Sequence, residues 1–363
     1  METTMTTSAV NSSDELAILS QLVFSEPENQ HPLLPELAAA QFKAVLDLAQ
    51  ANHVVIRAME AMRKIMDDRK DRVRYEWCAE ALQHERVRIN RATSFLRKIC
   101  RELGAEGHNV MVIKSLDHWP DLGSDLDLYT DADPAAIIRG MTTRFGASLF
   151  DRSWGDRLAN KWNFVVPGLP ELVEIHMGRL GQTGELVSFA NSLLARARSI
   201  LIGDSCYQVP SAEDRLVICT LQRMYRHFFL RLCDIADTVD LLENDRVDFE
   251  DLRFTAEENG IWEGVATFLT IVSDFAQHWR GNGVRMPGFV RSAARFGGDQ
   301  IGFARDFLRV PILPHSVRLY ASELMSLISQ GKIRNTARLS LLPWLATAAA
   351  VEQKITGSDK GIW

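Results

Sequence analysis

The segment Gly123-Ser124-Asp125-Leu126-Asp127-Leu128 places two carboxylates one residue apart between apolar neighbours. Extended backbone sends successive side chains to opposite faces. Asp125 and Asp127 are therefore predicted to share one face of a β-strand, with Leu126 and Leu128 entering a core. Two carboxylates on one face repel unless something positive lies between them. A divalent cation such as Mg²⁺, which prefers oxygen ligands, meets that need; the plainer reading is an exposed strand end with solvated aspartates. A second acidic signal lies downstream, in Leu172-Val173-Glu174-Ile175-His176. Glu174 sits among apolar residues, and His176 shares its face. An acid in the middle of a short apolar strand is costly unless it is paired or metal-bound. Three carboxylates on neighbouring strands would suit a two-metal site, of the kind that clamps the attacking and leaving oxygens of a displacement at phosphorus.

The surrounding sequence frames these strands with helices. From residue 36 the apolar positions recur at helical spacing for about 65 residues, the last long helix covering roughly 75–103. The Arg residues on its outer face read as solvated. Residues 109–114, β-branched and bounded by turn signals, read as a strand. Asp133-Pro134 reads as an N-cap followed by the first helical residue, with Gly146 as the stop. Further strands are predicted at 147–151, 161–166 and 172–177, with a turn at Pro167-Gly168. Ser211 begins another helix, a second covers 230–242, and residues 255–363 are mostly helical by period. Asp234 and Asp237 read as caps or partners of nearby Arg residues.

Composition narrows the function classes. Apolar residues make up 46% of the 363-residue chain and charged residues 24%, as in ordinary globular proteins. The net charge of −6 argues against strong, sequence-independent nucleic-acid binding, which needs a basic footprint. Five scattered cysteines without a Cys-x-x-Cys pair exclude a zinc framework or disulfide scaffold and fit reduced thiols in the cytoplasm. The N-terminus lacks a signal-peptide pattern. The longest uncharged apolar stretch, 339–351, is too short to span a bilayer and reads as a buried or interfacial helix.

Ile113-Lys114-Ser115, a nine-residue gap and then Asp125-Leu126-Asp127-Leu128 resemble the signature of the nucleotidyltransferase superfamily that includes DNA polymerase beta. Within it the chain is similar to a poorly characterised bacterial nucleotidyltransferase family whose strand ends in Lys-Gly. That family also has a later acid-apolar-His strand, matched by Glu174-Ile175-His176, and a helical His and Arg-Leu…Asp pattern, matched by His227 and Arg231-Leu232…Asp234. The resemblance covers roughly residues 36–245. The sequence departs from the pattern at Ser115, where Gly is usual, at Glu174, where Asp is commoner, and in lacking an Arg shortly before the paired acids.

The resemblance implies a Mg²⁺-dependent nucleotidyltransferase (two ions, or Mn²⁺) that moves a nucleoside monophosphate from an NTP to a small-molecule or protein hydroxyl or amine. Asp125, Asp127 and Glu174 would be catalytic metal ligands. Lys114, Ser115, Gly123 and Ser124 would bind the nucleotide, and His176, Trp119, His227 and Arg231 would be candidate substrate contacts. Two other readings stand beside it. One is a catalytically degenerate nucleotide-binding or partner-docking module. The other is a metal site for sugar-nucleotide chemistry, which would need a large parallel domain ahead of the motif. The expected fold is α+β, a small mixed sheet embedded in a mainly helical protein. The expected divisions are a flexible tail (1–30) that becomes helical near Asp14-Glu15-Leu16, a helical region (31–105), the nucleotidyltransferase core (106–180), a helical substrate-side domain (181–254) and a C-terminal helical region (255–363).

Overall fold

The computed structural model describes residues 14–25 and 37–344. The fold is α+β, with a mixed five-stranded sheet set among helices. Helices α1 (Asp14–Phe24), α2 (Ala39–Ala51), α3 (Val55–Asp68) and the 34-residue α4 (Arg72–Ala105) precede the first strand. Within the stretch read as a tail, α1 buries Leu16, Ile18, Leu19, Leu22 and Phe24 and packs on α2 and α3. Its apolar spacing, rather than its place near the terminus, governs its burial.

The sheet begins with β1 (Val110–Val112) and β2 (Asp125–Thr130). Helix α5 (Pro134–Phe145) follows, capped by the Asp133 carboxylate on the Ala136 N–H and ended by Gly146 in the left-handed region, as its sequence predicts. Then come β3 (Ser148–Leu149), α6 (Trp154–Leu158), β4 (Lys161–Val165) and β5 (Leu172–Met177). The strand order is β1-β2-β5-β4-β3. β2 and β5 run parallel at its centre; the other pairs are antiparallel. The register sets Asp125 opposite Leu172 and Asp127 opposite Glu174. Leu126, Leu128, Val173 and Ile175 are buried, as alternation requires. With one parallel pair and a helical region before it, this sheet does not match the larger parallel domain that the sugar-nucleotide reading needs.

After the sheet comes α7 (Val187–Leu193). The chain then forms a hairpin, β6 (Arg198–Ile202) and β7 (Ser205–Val209), turning at Gly203-Asp204. Helix α8 (Ala212–Thr220) starts at Ser211, whose hydroxyl accepts from the Asp214 N–H, and widens into a π-turn over Leu221–His227. β8 (Phe229–Leu230), α9 (Leu232–Asn244), α10 (Phe249–Glu258), α11 (Trp262–Arg280) and α12 (Gly288–Ala293) follow. β9 (Gly302–Ala304) and β10 (Phe307–Arg309) join β8 in a three-stranded sheet, order β8-β10-β9, inside a region expected to be helical. Helix α11 is apolar nearly all round and packs on α1, α8, α9 and α12, so it is a central post of the helical half. Helices α13 (Val317–Ser329) and α14 (Ile333–Leu339) close the described chain around their own small core of Leu327, Leu339 and Leu342. Most of the apolar stretch 339–351 lies outside the described residues. Among the described residues no helix is long and apolar enough to cross a membrane.

Candidate active site

The parallel pairing of β2 and β5 builds the floor of the site. Asp127, Glu174 and His176 offer ligand atoms that all lie within 4.8 Å of one another. His176 Nε2 stands 3.8 Å from Asp127 Oδ1, and neither His176 ring nitrogen has a hydrogen-bond partner among the described residues. Asp125 is outside this set of converging atoms, so the tightest trio is Asp127, Glu174 and His176 rather than the three acids. Asp125 still feels the others: burial, then the charges of Glu174 and Asp127, push its carboxyl up to about 6. Asp127 goes the other way. Burial opposes its ionisation, but Lys114 and His176 together hold it well below the usual carboxylate range. Burial lowers His176, keeping its imidazole neutral and able to act as a ligand.

Two lysines sit on this floor. Lys114 Nζ pairs with Asp127 Oδ1, and Lys161 Nζ pairs with Glu174 at 3.0 Å and Asp156 at 2.9 Å. Lys161 lies on β4 opposite His176 and is 5% exposed. The sequence reading missed it. Its place at the start of a strand that alternates beside Glu174 was the available signal.

Lys114 is held in an unusual backbone state. Its φ is +66°, and the Ser115 N–H donates to the Ile113 carbonyl across it at 2.8 Å, a three-residue turn. Side chains other than glycine pay roughly 1–2 kcal/mol for that region. The left-handed turn thus carries an ammonium at the head of the loop that leads to the acids. Ser115 has a different part from the expected one. Its Oγ accepts from the Asp127 N–H at 2.7 Å and donates to the Asp125 carbonyl at 3.2 Å. The hydroxyl is committed to pinning the acid strand and is not free for phosphate. Ser124 Oγ donates to Asp125 Oδ2 at 3.2 Å and remains accessible.

The loop before the acids is fastened from the helical side. Arg88, on the face of α4 read as solvated, donates to the carbonyls of Leu122 at 2.8 Å and Gly123 at 3.1 Å and pairs with buried Glu171 at 3.0 Å. A guanidinium remote in sequence thus orders the loop that lacks the family's local Arg. Asp121 reaches α3, where its carboxylate accepts the Ile56 N–H at 2.6 Å and the Arg57 N–H at 3.3 Å. That caps a helix whose own N-cap, Val54, has no side-chain acceptor. Burial pushes Asp121 up to about 7.

The ceiling is the π-turn of α8 and the start of α9. Arg223, 1% exposed, pairs with Asp234 at 2.7 Å, and Asp234 also accepts the Arg231 N–H at 2.7 Å. Arg231 and Arg223 line one cleft with Asp125, Asp127 and the 123–124 loop. His118 lines the same cleft. Its Nδ1 lies 2.5 Å from Asp237, which also binds Arg57 at 2.7 Å. Arg231 lies over Phe229 and Phe307, rings stacked 4.3 Å apart, at 5.6 Å from each centroid. Of the weaker candidates, His227 packs on Phe229 at 5.5 Å and is driven well below its ordinary range by burial and the neighbouring arginines. It is not among the residues lining the clefts described. Trp119 is 41% exposed and outside them too; its carbonyl accepts from Arg57 at 3.0 Å.

Residues 124–277 match the model of a family described as an uncharacterised nucleotidyltransferase. The match begins one residue before Asp125 and runs through β5 and the π-turn into α11, so it takes in the acid strands and the ceiling but not Lys114 or Ser115. It supports a nucleotidyltransferase family protein. No curated protein matches the chain.

Proposed function

We propose that the protein is a nucleotidyltransferase that uses a bound divalent cation to move a nucleoside monophosphate from an NTP to a hydroxyl-bearing acceptor. The observation that carries this reading is the convergence of Asp127, Glu174 and His176 beside a cleft lined by Lys114, Arg223 and Arg231. Two carboxylates and a neutral imidazole whose Nε2 has no hydrogen-bond partner among the described residues fit one divalent cation, which would displace Lys114 from Asp127; a second ion would call on Asp125. A bound Mg²⁺ would offset charge on the phosphate oxygens and polarise the α-phosphorus.

The chain's own residues supply the rest. The acceptor oxygen forms a bond to the α-phosphorus, and the bond to the bridging oxygen breaks. The electron pair departs with pyrophosphate, and the acceptor proton passes to Glu174 or to solvent. Glu174, held by Lys161, positions that hydroxyl. Lys114, Arg223 and Arg231 present fixed positive charge to the triphosphate, so stabilisation needs little reorganisation. Ser115 and Arg88 keep the acid strand and its loop in register.

Calorimetry with each NTP, with and without Mg²⁺, tests the site. Binding is expected to require Mg²⁺ and to vanish in the Asp125→Ala, Asp127→Ala double variant; equal binding by that variant overturns the assignment. A second reading, a nucleotide sensor without turnover, draws on the two lysine pairs, which satisfy Asp127 and Glu174 internally. Pyrophosphate release from labelled NTPs separates the two.

A further inference from the structure

A second cleft lies on the other side of Lys114. Its apolar walls are Ile113, Leu180, Ile218 and Leu221. His176 reaches it from the floor, while Arg226 and Gln222 reach it from the π-turn. Two features mark it as built to hold something. First, Gln182 Oε1 is buried with no hydrogen-bond partner among the described residues, in a side chain 5% exposed. Leaving such an acceptor unpaired is costly, so the cleft is short of a donor. The turn that carries Gln182 is itself fixed: buried Glu185 accepts the Gln182 N–H at 2.9 Å and the Thr183 N–H at 2.7 Å. Gly184, at φ +72°, passes too close to the Leu158 carbonyl for any side chain. Second, the cleft's charge is one-sided. Lys114, whose ammonium is paired with Asp127, and Arg226 line it and, among the described residues, no acid does. The nearest carboxylate to Arg226, Asp156 at 3.4 Å, is already held by Lys161 at 2.9 Å.

We infer that this cleft binds the acceptor, and that the acceptor is a small amphipathic anion. It has an aliphatic or aryl body for the apolar walls, a carboxylate or phosphate for Arg226, and a hydroxyl that donates to Gln182 beside His176. Calling the ligand the acceptor rests on the transfer reading; the existence of the cleft as a binding site does not. In the reaction the hydroxyl turns from Gln182 toward Glu174, its oxygen becomes bonded to the α-phosphorus and its proton passes to Glu174 or to solvent, with pyrophosphate as the leaving group, so no further co-reactant is needed.

The test is saturation-transfer NMR on the full chain with a panel of hydroxy-carboxylates and hydroxy-phosphates led by 4-(hydroxymethyl)benzoate. The uncharged 4-methylbenzyl alcohol and the body-less glycerol serve as comparisons. The anionic aryl alcohol is expected to bind at least tenfold more tightly than either. Arg226→Gln should erase that advantage over the uncharged analogue, and Ile218→Trp should abolish binding. Gln182→Leu keeps the test sound if tryptophan disturbs folding. It removes an unpaired buried group, so thermal stability should hold or rise while probe affinity falls at least fivefold, a split that a merely structural glutamine would not give. Absence of binding across the panel, or unchanged binding in Ile218→Trp and Gln182→Leu, overturns the proposal. Calorimetry with Mg·ATP on the same samples keeps the two claims apart. Probe binding without nucleotide binding retains the cleft and removes the transfer reading, whereas nucleotide binding without probe binding does the reverse.

Discussion

The floor and the ceiling of the site are made in opposite ways. The floor is two short strands whose side chains are placed by period-two alternation, so Asp125, Asp127, Glu174 and His176 share a face by local geometry. The ceiling is a π-turn, a loop and the start of α9, and its groups are placed by contacts across long stretches of chain: Arg223 to Asp234, His118 to Asp237, Arg88 to Leu122. A strand face carries its chemistry in spacing alone. A helical ceiling carries it in pairings that exist only after folding, so damage there should appear first as lost stability, and damage to the floor as lost chemistry.

The largest effect should come from the ceiling. Asp234→Ala leaves the fully buried Arg223 unpaired, which typically costs about 3–5 kcal/mol. Urea unfolding should show that loss, and a change under about 1 kcal/mol would break the contrast. Next comes the floor. Asp127→Asn should cut Mg²⁺-dependent NTP affinity by at least about 100-fold, beyond the usual outer-shell effect, while the unfolding midpoint moves little. A collapse of the fold instead would make the floor as structural as the ceiling. Ser115→Ala probes the seam between them. Its loss leaves the buried Asp127 N–H without its acceptor, costing about 1–3 kcal/mol, and should weaken NTP binding roughly tenfold through the displaced acid. Equal stability in wild type and variant would show that the strand does not need its pin.

The smallest effect concerns pH. Burial raises Asp121 to about 7 from an ordinary value of 3.8. Between about pH 4 and 7 the unfolded chain therefore releases a proton that the folded chain keeps, and stability should fall as pH rises. Asp121→Asn retains an acceptor for the α3 cap and cannot titrate, so denaturant midpoints across that range should decline less steeply than in wild type. An unchanged slope would mean that other groups set it.

The same division explains what could be read from sequence. The strands at 161–166 and 172–177, the cap at Asp133 and the stop at Gly146 were legible because alternation and capping are local. The family resemblance rested on motifs that are also local in sequence, and the matched region, 124–277, holds Asp125, Asp127, Glu174, His227 and Arg231 but not Lys114-Ser115. Arg88 was hidden because a guanidinium on an amphipathic helix looks the same whether it meets water or a carbonyl 34 residues away. Lys161 was hidden because its partners come from two other elements, Asp156 and Glu174. The hydrogen bonds of Ser115 were not legible because a small polar residue at a phosphate-loop position suits both a ligand and a strand pin. The β8-β10-β9 sheet escaped because its strands are two or three residues long, too short for any period.

Lys114 lines the acid cleft, the cleft beside His176 and a third between His118 and α8, and so does Gln222. One residue, its ammonium paired with Asp127, therefore borders three compartments at once. A ligand that draws it toward one withdraws its charge from the other two, and thermodynamic reciprocity requires each occupant to feel the other by the same factor. The left-handed turn at Lys114 thus sits where the free energies of filling separate compartments are tied together. Affinity measured in any one of them is conditional on the state of its neighbours.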